Sequence, residues 1–507
     1  MRIDSLWINR FKNFDDFEID FKQEYLINIL LGKNGTGKSN IIEVITSIFL
    51  HLELSNTKKL FVESFDYDFL IKYNIANDGT VRHFSISKLK DELIIKMKVI
   101  SPLSTEEVEL GYPALKRLDE NMYLPKYVIG YYSGSNERLK PKFKLSEQKY
   151  YKEVRSNRDQ ESEFRRFFYA ETYHCQLLLI SLLTFAKTNK KIADFLTEYL
   201  DYSEFVDFTV SLKSPDWNKG VSLKEGVNKF WGANGTPFRF CNYLLVESKS
   251  EPVIEYNVSL DIKNTIKERI SFYIKGPDFL KNAVEYFHSG IDLFRHIEST
   301  YISGLIDKIV IRIKKKSSDD IIEFEELSEG EQQMITILGL LLFTSNDNAL
   351  FLLDEPDTHL NPNWQRDYLK LFIENAASEN NHIIISTHSP LMVQSAEEAG
   401  IILFKLENGK PNSNSDTHFI HNWRIDQVLT SEYFGLKSAR PPQLDVYMEL
   451  RESILSKRKL EEQDVASLKS HQDTFGRLPT GETIDELKAL ILINRITDKL
   501  PKGDDKN

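Results

Sequence analysis

Cysteine is nearly absent: the 507 residues hold only Cys175 and Cys241. Their spacing suggests neither a disulfide framework nor a zinc site, so the expectation is two buried structural thiols in a reducing, cytoplasmic setting. Long apolar runs are lacking too. The two richest, CQLLLISLLTFA and ITILGLLLFT, fall short of the ~20 residues that cross a bilayer. The opening MRIDSLWINRFKNF has no signal-peptide profile, and no membrane partner is expected. No heptad persists for several cycles, which excludes a long coiled-coil arm. Positive charge is in deficit, with a net charge of −11. That excludes attraction of DNA or anionic membranes by the whole surface, while leaving room for a local basic groove.

What is present is ordinary globular composition, 41% hydrophobic and 28% charged, on a chain long enough to require more than one lobe. SLWINRFKNF and FEIDF read as paired strands, and YLINILLG as a buried strand entering a glycine loop that opens the helix SNIIEVITSIFLHL. Short strands follow (VRHFSIS, ELIIKMKVI, KYVIGYYSG). Residues 145–300 read as mainly helical, with PVIEYNVSLDI as a candidate strand. Strand character returns at KIVIRIKKK and IIEFEEL. NALFLLDEP and HIIISTHSP, with a helix between them, then predict a parallel sheet covered on both faces. Beyond 425 the composition is charged and helical, including a capping box from Thr483 to Glu486.

Gly32-Lys33-Asn34-Gly35-Thr36-Gly37-Lys38-Ser39 matches G-x-x-x-x-G-K-[ST] in full. In such a loop the glycines let backbone N–H groups converge on phosphate oxygens. The lysine reaches the β- and γ-phosphates, and the hydroxyl ligates Mg²⁺. The strand before and the helix after are the context this loop requires. In ALFLLDEPD a buried strand ends in two carboxylates. Asp354 is placed to hold Mg²⁺ and Glu355 to polarise an attacking water. In LSEGEQQ, Ser328 and Glu331 form a capping box that, with Gly330, presents a helix N-terminus to an anion. An ordinary capped helix carries the same pair, so the order of the motifs is what counts.

That order (glycine loop, LSEGEQQ, LLDEPD, STHSP) resembles an ABC-type ATPase. It supplies Walker A at 32–39, the signature at 327–331, Walker B at 350–355, the D-loop at 357–362 and a switch histidine at His388. The resemblance implies an α/β ABC ATPase head split by a mainly helical insertion and followed by a helical C-terminal tail. The lobes would be 1–144 and 301–425, the insertion 145–300 and the interaction region 426–507. It also implies a head-to-tail homodimer with two ATPs between the subunits. Each ATP would meet Lys38 and Ser39 of one chain and Ser328 and Gly330 of the other, with His388 sensing the γ-phosphate. The family's glutamine loop falls at 130–140, which holds no Gln; Asn136, Ser133 or Gln148 are the alternatives.

Ser328 lies about 290 residues after Lys38, and with the opening INRFKNFDDFEIDF this resembles the SMC, RecF and OLD branch, whose members act on DNA. The coiled coil of the first group and the Toprim domain of the last are both missing. YSGSNERL and LTSEYFGL are similar to the stand-alone ATPases of bacterial anti-phage systems, such as the Septu PtuA and retron-associated ATPases. That likeness implies an ATP-driven switch acting on a separate effector nuclease of HNH type. The alternative is an SMC-like ATPase that clamps DNA without a nuclease. DNA or RNA contact by RLKPKFK and RIKKK is weighed evenly against a solvated charged face. Arg165 and Arg166 beside Phe167 and Phe168 read as core aromatics with exposed arginines more readily than as a stacking platform for bases.

Overall fold

The computed structural model describes residues 1–475, apart from 78, 103, 135–137, 157–162, 219–222, 224–228, 249–250, 260–264, 376–379, 416–419, 437–438, 440 and 456–460; beyond 475 it describes only 489 and 492. Two compact units emerge, Met1–Asn422 and Trp423–Asn507.

At the centre of the first unit lies a seven-stranded sheet. Its order is Lys410–Asn414, Ala399–Glu407, Ile27–Gly32, His382–Ser386, Ala349–Asp354, Tyr127–Tyr132 and Phe167–Tyr169. All neighbours pair in parallel except the first two. INILLG, ALFLLD and HIIIS are buried at every position, as strands covered on both faces must be. Three strands widely separated in the chain therefore end side by side at one sheet edge, where open α/β sheets hold their ligands.

A second sheet is antiparallel and runs Phe14–Asp20, Arg2–Phe11, Phe69–Asn77, Thr80–Leu89, Glu92–Ile100, Thr105–Leu110. The helix Lys38–Leu54 is enclosed between the two sheets. Ile41, Ile45 and Phe49 share one core with Ile71, Tyr73 and Phe84 of the antiparallel sheet and with Leu30, Leu350 and Ile384 of the parallel one.

Helices dominate residues 145–300: His174–Phe185, Gly235–Glu247, Gly276–Phe287 and Gly290–Ile302. The same stretch also builds most of a five-stranded antiparallel sheet, Val253–Ser259, Thr265–Lys275, Tyr202–Lys213, Ile306–Lys315 and Ile321–Glu323. Only one of its three strands was expected. YSEFVDFTVSLK becomes a strand through pairing with Ile306–Lys315, about a hundred residues away, and local pattern does not encode such pairing. The helix Lys140–Ser156 runs across the expected boundary at 144/145.

In the second unit the helices are Ile425–Thr430, Asp445–Leu455 and Glu462–Phe475. The capping box at Thr483 lies outside the described residues. Among those described, no helix is long and apolar enough to cross a membrane, no cluster of His, Cys, Asp and Glu is arranged to hold a metal, and both cysteines are buried and free.

Phe143, 1% exposed, presses the tip of its ring against Gly130, where a Cβ would come within 2.4 Å of it. This contact locks the helix Lys140–Ser156 onto the main sheet. Phe143→Ala should cost about 3–5 kcal/mol and lower the midpoint of thermal unfolding. An unchanged midpoint would remove this contact from the account of the core.

Candidate functional site

The glycine loop starts where Ile27–Gly32 leaves the sheet and ends at Gly37, whose φ of 105° sets the entry of the helix Lys38–Leu54. A side chain at Gly37 would meet the Phe14 ring at 2.5 Å, so glycine is required for space as well as conformation. Lys33, Asn34 and Gly35 are exposed, whereas Thr36 is buried and its Oγ1 donates to Lys33 O at 2.8 Å. The turn of the first hairpin braces the loop: Asn13 donates to Gly35 O at 2.8 Å and accepts from Asn40 at 2.7 Å. Asn40 N and Ile41 N donate to Gly37 O at 2.9 and 3.2 Å, and the N–H groups of Lys38 and Ser39 ahead of them make the start of this 17-residue helix a place for a phosphate.

Lys38 is 6% exposed. Its Nζ donates to Gly32 O at 2.8 Å and lies 2.9 Å from His388 Nε2. Burial lowers the ammonium to about 8, against the pull of Asp354 and Glu355. Burial, reinforced by Lys38, lowers His388 to about 4. His388 is therefore neutral at pH 7 and accepts from the lysine at Nε2. Its Nε2 is 3.8 Å from Glu355 Oε1.

Asp354, 2% exposed, closes the central strand. Its Oδ1 accepts from Ser39 at 3.1 Å and from Ser386. Burial raises the carboxyl above its ordinary range while these two hydroxyls oppose the rise. Glu355 follows with a φ of 53°, an uncommon conformation for a non-glycine residue that costs on the order of 1–3 kcal/mol. Three neighbours hold it there. Glu355 N donates to Ser386 O at 2.9 Å, and Glu355 O accepts from Ser133 Oγ at 2.6 Å and Thr358 Oγ1 at 3.0 Å. Of the three alternatives for the missing glutamine, Ser133 touches this turn, Gln148 is exposed on the helix Lys140–Ser156, and Asn136 lies outside the described residues.

Ser328, Gly330 and Glu331 form a second group at the start of the helix Glu329–Thr344. The capping box is complete: Glu331 N donates to Ser328 Oγ at 3.3 Å and Ser328 N to Glu331 Oε2 at 2.8 Å. Burial would raise Glu331, but hydrogen bonds from Ser328 and from Lys315, 3.0 Å away, bring it below its ordinary value. This group makes its hydrogen bonds within the box and to Lys315, not to Lys38 or Asp354. The D-loop links the two groups. A side chain at Gly330 would come within 2.7 Å of His359 O, and His359 Nδ1 is 2.9 Å from Glu329. Asp357, raised to about 6 by burial, accepts from Thr387 Oγ1 at 2.8 Å.

From sequence, Asp357 has a place only as the first residue of the D-loop, and nothing is assigned to Asn13, Ser386 and Thr387. The last two sit inside the quoted STHSP, and their position after a buried strand was the available signal. Of the basic clusters, Arg312 forms a two-pronged pair with Asp207 at 2.8 and 2.6 Å, and Lys314 pairs with Asp319 at 2.9 Å. Lys140 pairs with Glu171 at 2.8 Å. Arg165 is 6% exposed, 2.9 Å from buried Glu298 and stacked on Phe168, so it belongs to the core.

Ser39 and Asp354 place two hard oxygen donors side by side, a set that suits Mg²⁺. Lys38, a helix N-terminus and a neutral histidine adjoin them. The group can hold a nucleotide's phosphates and a water beside Glu355.

The histidine gives this cluster a pH signature. Its folded value lies below 6.5, so the unfolded chain binds more protons between 6.5 and about 4. Relative to His388→Gln, the parent chain should lose stability as pH falls through that window, and Lys38→Met should raise the histidine's titration midpoint. Parallel pH–stability curves for His388→Gln and parent would refute the contact.

Residues 1–393 match the family profile described as AAA ATPase domain. The chain is 22% identical to the Retron Ec83 probable ATPase of Escherichia coli, over 96% of this chain and 86% of that one. It is 24% identical to the Retron Vc95 probable ATPase of Vibrio cholerae serotype O1 biovar El Tor, over 78% of this chain and 71% of that one. It is 25% identical to the Septu protein PtuA of Bacillus thuringiensis over 36% of this chain, spanning half the length of that relative. With the glycine loop, the paired acids and the parallel sheet that carries them, this chain belongs to the AAA ATPase domain family and is related to the retron and Septu ATPases.

Proposed function

We propose that this chain binds and hydrolyses ATP with Mg²⁺, closes head-to-tail with a second copy when ATP is bound, and so controls a separate effector nuclease in bacterial anti-phage defence. The carrying observation is the convergence of Lys38, Ser39, Asp354, Glu355 and His388 at the ends of three adjacent parallel strands. Lys38 exchanges its Gly32 carbonyl and His388 for phosphate oxygens. Ser39 and Asp354 would hold Mg²⁺, which would supply neutralisation of phosphate charge. Glu355, locked by Ser133 and Thr358, takes a proton from the attacking water. Ser328, exposed at the helix start, faces a partner copy's nucleotide, with Gly330 packed behind it against the D-loop, and Glu331 fixes the cap that orients the serine. The effector control rests on kinship with the retron and Septu ATPases.

Glu355→Gln should slow hydrolysis by about 10²–10⁴-fold while ATP-bound dimers accumulate on size-exclusion chromatography. Hydrolysis at the parent rate would exclude Glu355 as the base. The head-to-tail arrangement has its own test. Lys38→Ala and Ser328→Arg should each be inactive alone, yet mixing them restores one intact composite site and a measurable rate. Absence of recovery, with mixed dimers present, would place both motifs on the same nucleotide.

A further inference from the structure

A cavity of about 350 Å³ opens between the signature helix and the end of the strand Tyr127–Tyr132. Tyr131 and Tyr169 line it from the sheet, Gln332 and Gln333 from the helix, and the paired Lys140 and Glu171 from its rim. It lies apart from Lys38 and Asp354, neither of which lines it.

Gln333 is the residue that the capping box and the D-loop leave unexplained. It is 4% exposed, and neither its amide oxygen nor its amide nitrogen has a hydrogen-bond partner. Burial pushes the phenol of Tyr131 well above its ordinary value, opposed by the neighbouring Gln333 amide, whose contact with it falls short of hydrogen-bond geometry. The adjacent Gln332 behaves differently, donating to Leu327 O at 3.0 Å. A buried amide left unpaired at both ends forfeits hydrogen bonds it would make in water. Facing a cavity of this size, it offers a donor and an acceptor side by side.

We propose that this cavity is an effector site for a nucleobase, whose edge pairs with the Gln333 amide while its face lies against Tyr131 and Tyr169. A glutamine amide pairs with an adenine edge through two parallel hydrogen bonds, and aromatic side chains stack on any base. The volume falls within the range of small-ligand clefts. The charged pair at the rim keeps the mouth polar. Occupancy is felt at the catalytic turn because Ser133, which also lines the cavity, donates to Glu355 O at 2.6 Å, and Glu329 of the same lining is 2.9 Å from His359 of the D-loop. Binding at the cavity stands independently of the ATPase reading; its effect on hydrolysis rests on that reading.

Adenosine is the probe, since it carries the base and lacks the phosphates that a glycine loop grips. Calorimetric titration should show adenosine binding to the parent chain and to Lys38→Ala with equal affinity, and no binding of ribose. Gln333→Met, similar in volume and without the amide, should weaken adenosine at least tenfold. Thr172→Trp fills the mouth from an exposed position, tests the same site without touching the core, and should weaken it likewise. Adenosine should also change the parent's ATPase rate and leave the rate of Thr172→Trp unchanged. No binding at millimolar adenosine would leave the cavity a water site and overturn the proposal. So would binding lost in Lys38→Ala but retained in Gln333→Met and Thr172→Trp, which would place the base at the glycine loop. Binding without any effect on hydrolysis would overturn the coupling to Glu355 alone.

Discussion

One buried carboxylate organises the catalytic end of this molecule. Asp354 is carried to the end of the central strand by a run of wholly apolar residues, and burial raises its carboxyl while hydroxyls bonded to its oxygen oppose the rise. Those hydroxyls come from two other elements, Ser39 on the helix after the glycine loop and Ser386 on the adjacent strand. Satisfying one acid therefore ties three segments together. The same demand brings Lys38 and His388 into contact, because Lys38 directly precedes Ser39 and His388 closely follows Ser386.

From that point the geometry spreads outward through short polar links. The left-handed turn at Glu355 is held by Ser133 from one neighbouring strand and by the Ser386 carbonyl from the other. The D-loop then carries the connection to the signature helix, with Asp357 anchored on Thr387 and His359 against Glu329 and Gly330. Movement of the signature helix has a physical route to the Glu355 turn, and a route back. Such coupling requires closely packed backbone, which is why glycine stands at 330.

Much of the charge in the basic runs is paired within the fold. RIKKK reads as a basic patch, yet Arg312, Lys314 and Lys315 each meet a carboxylate, and Lys315 steadies the capping box through Glu331. Arg165 lies inside the helical region against Glu298 and Phe168. Asp207 and Glu298 lie far from Arg312 and Arg165 in sequence, so only folding could show whether those two cations were solvated or paired. A buried pair of this kind specifies how elements dock more than it stabilises them.

The glycine loop, the paired acids, the capping box and the apolar strands were legible in the sequence because each depends on neighbours within a few residues: φ at glycine, a helix start, a run buried on both faces. Their order along the chain was enough to indicate the type of ATPase head. Tertiary structure decided what depends on distant pairing. It made YSEFVDFTVSLK a strand of a third sheet, chose Ser133 to touch the Glu355 turn, gave Asn13 the task of bracing the loop, and left Gln333 facing a cavity with both ends of its amide unpaired. Local sequence sets backbone preference over a turn or two, whereas burial and hydrogen-bond satisfaction are settled by whichever remote segment arrives alongside.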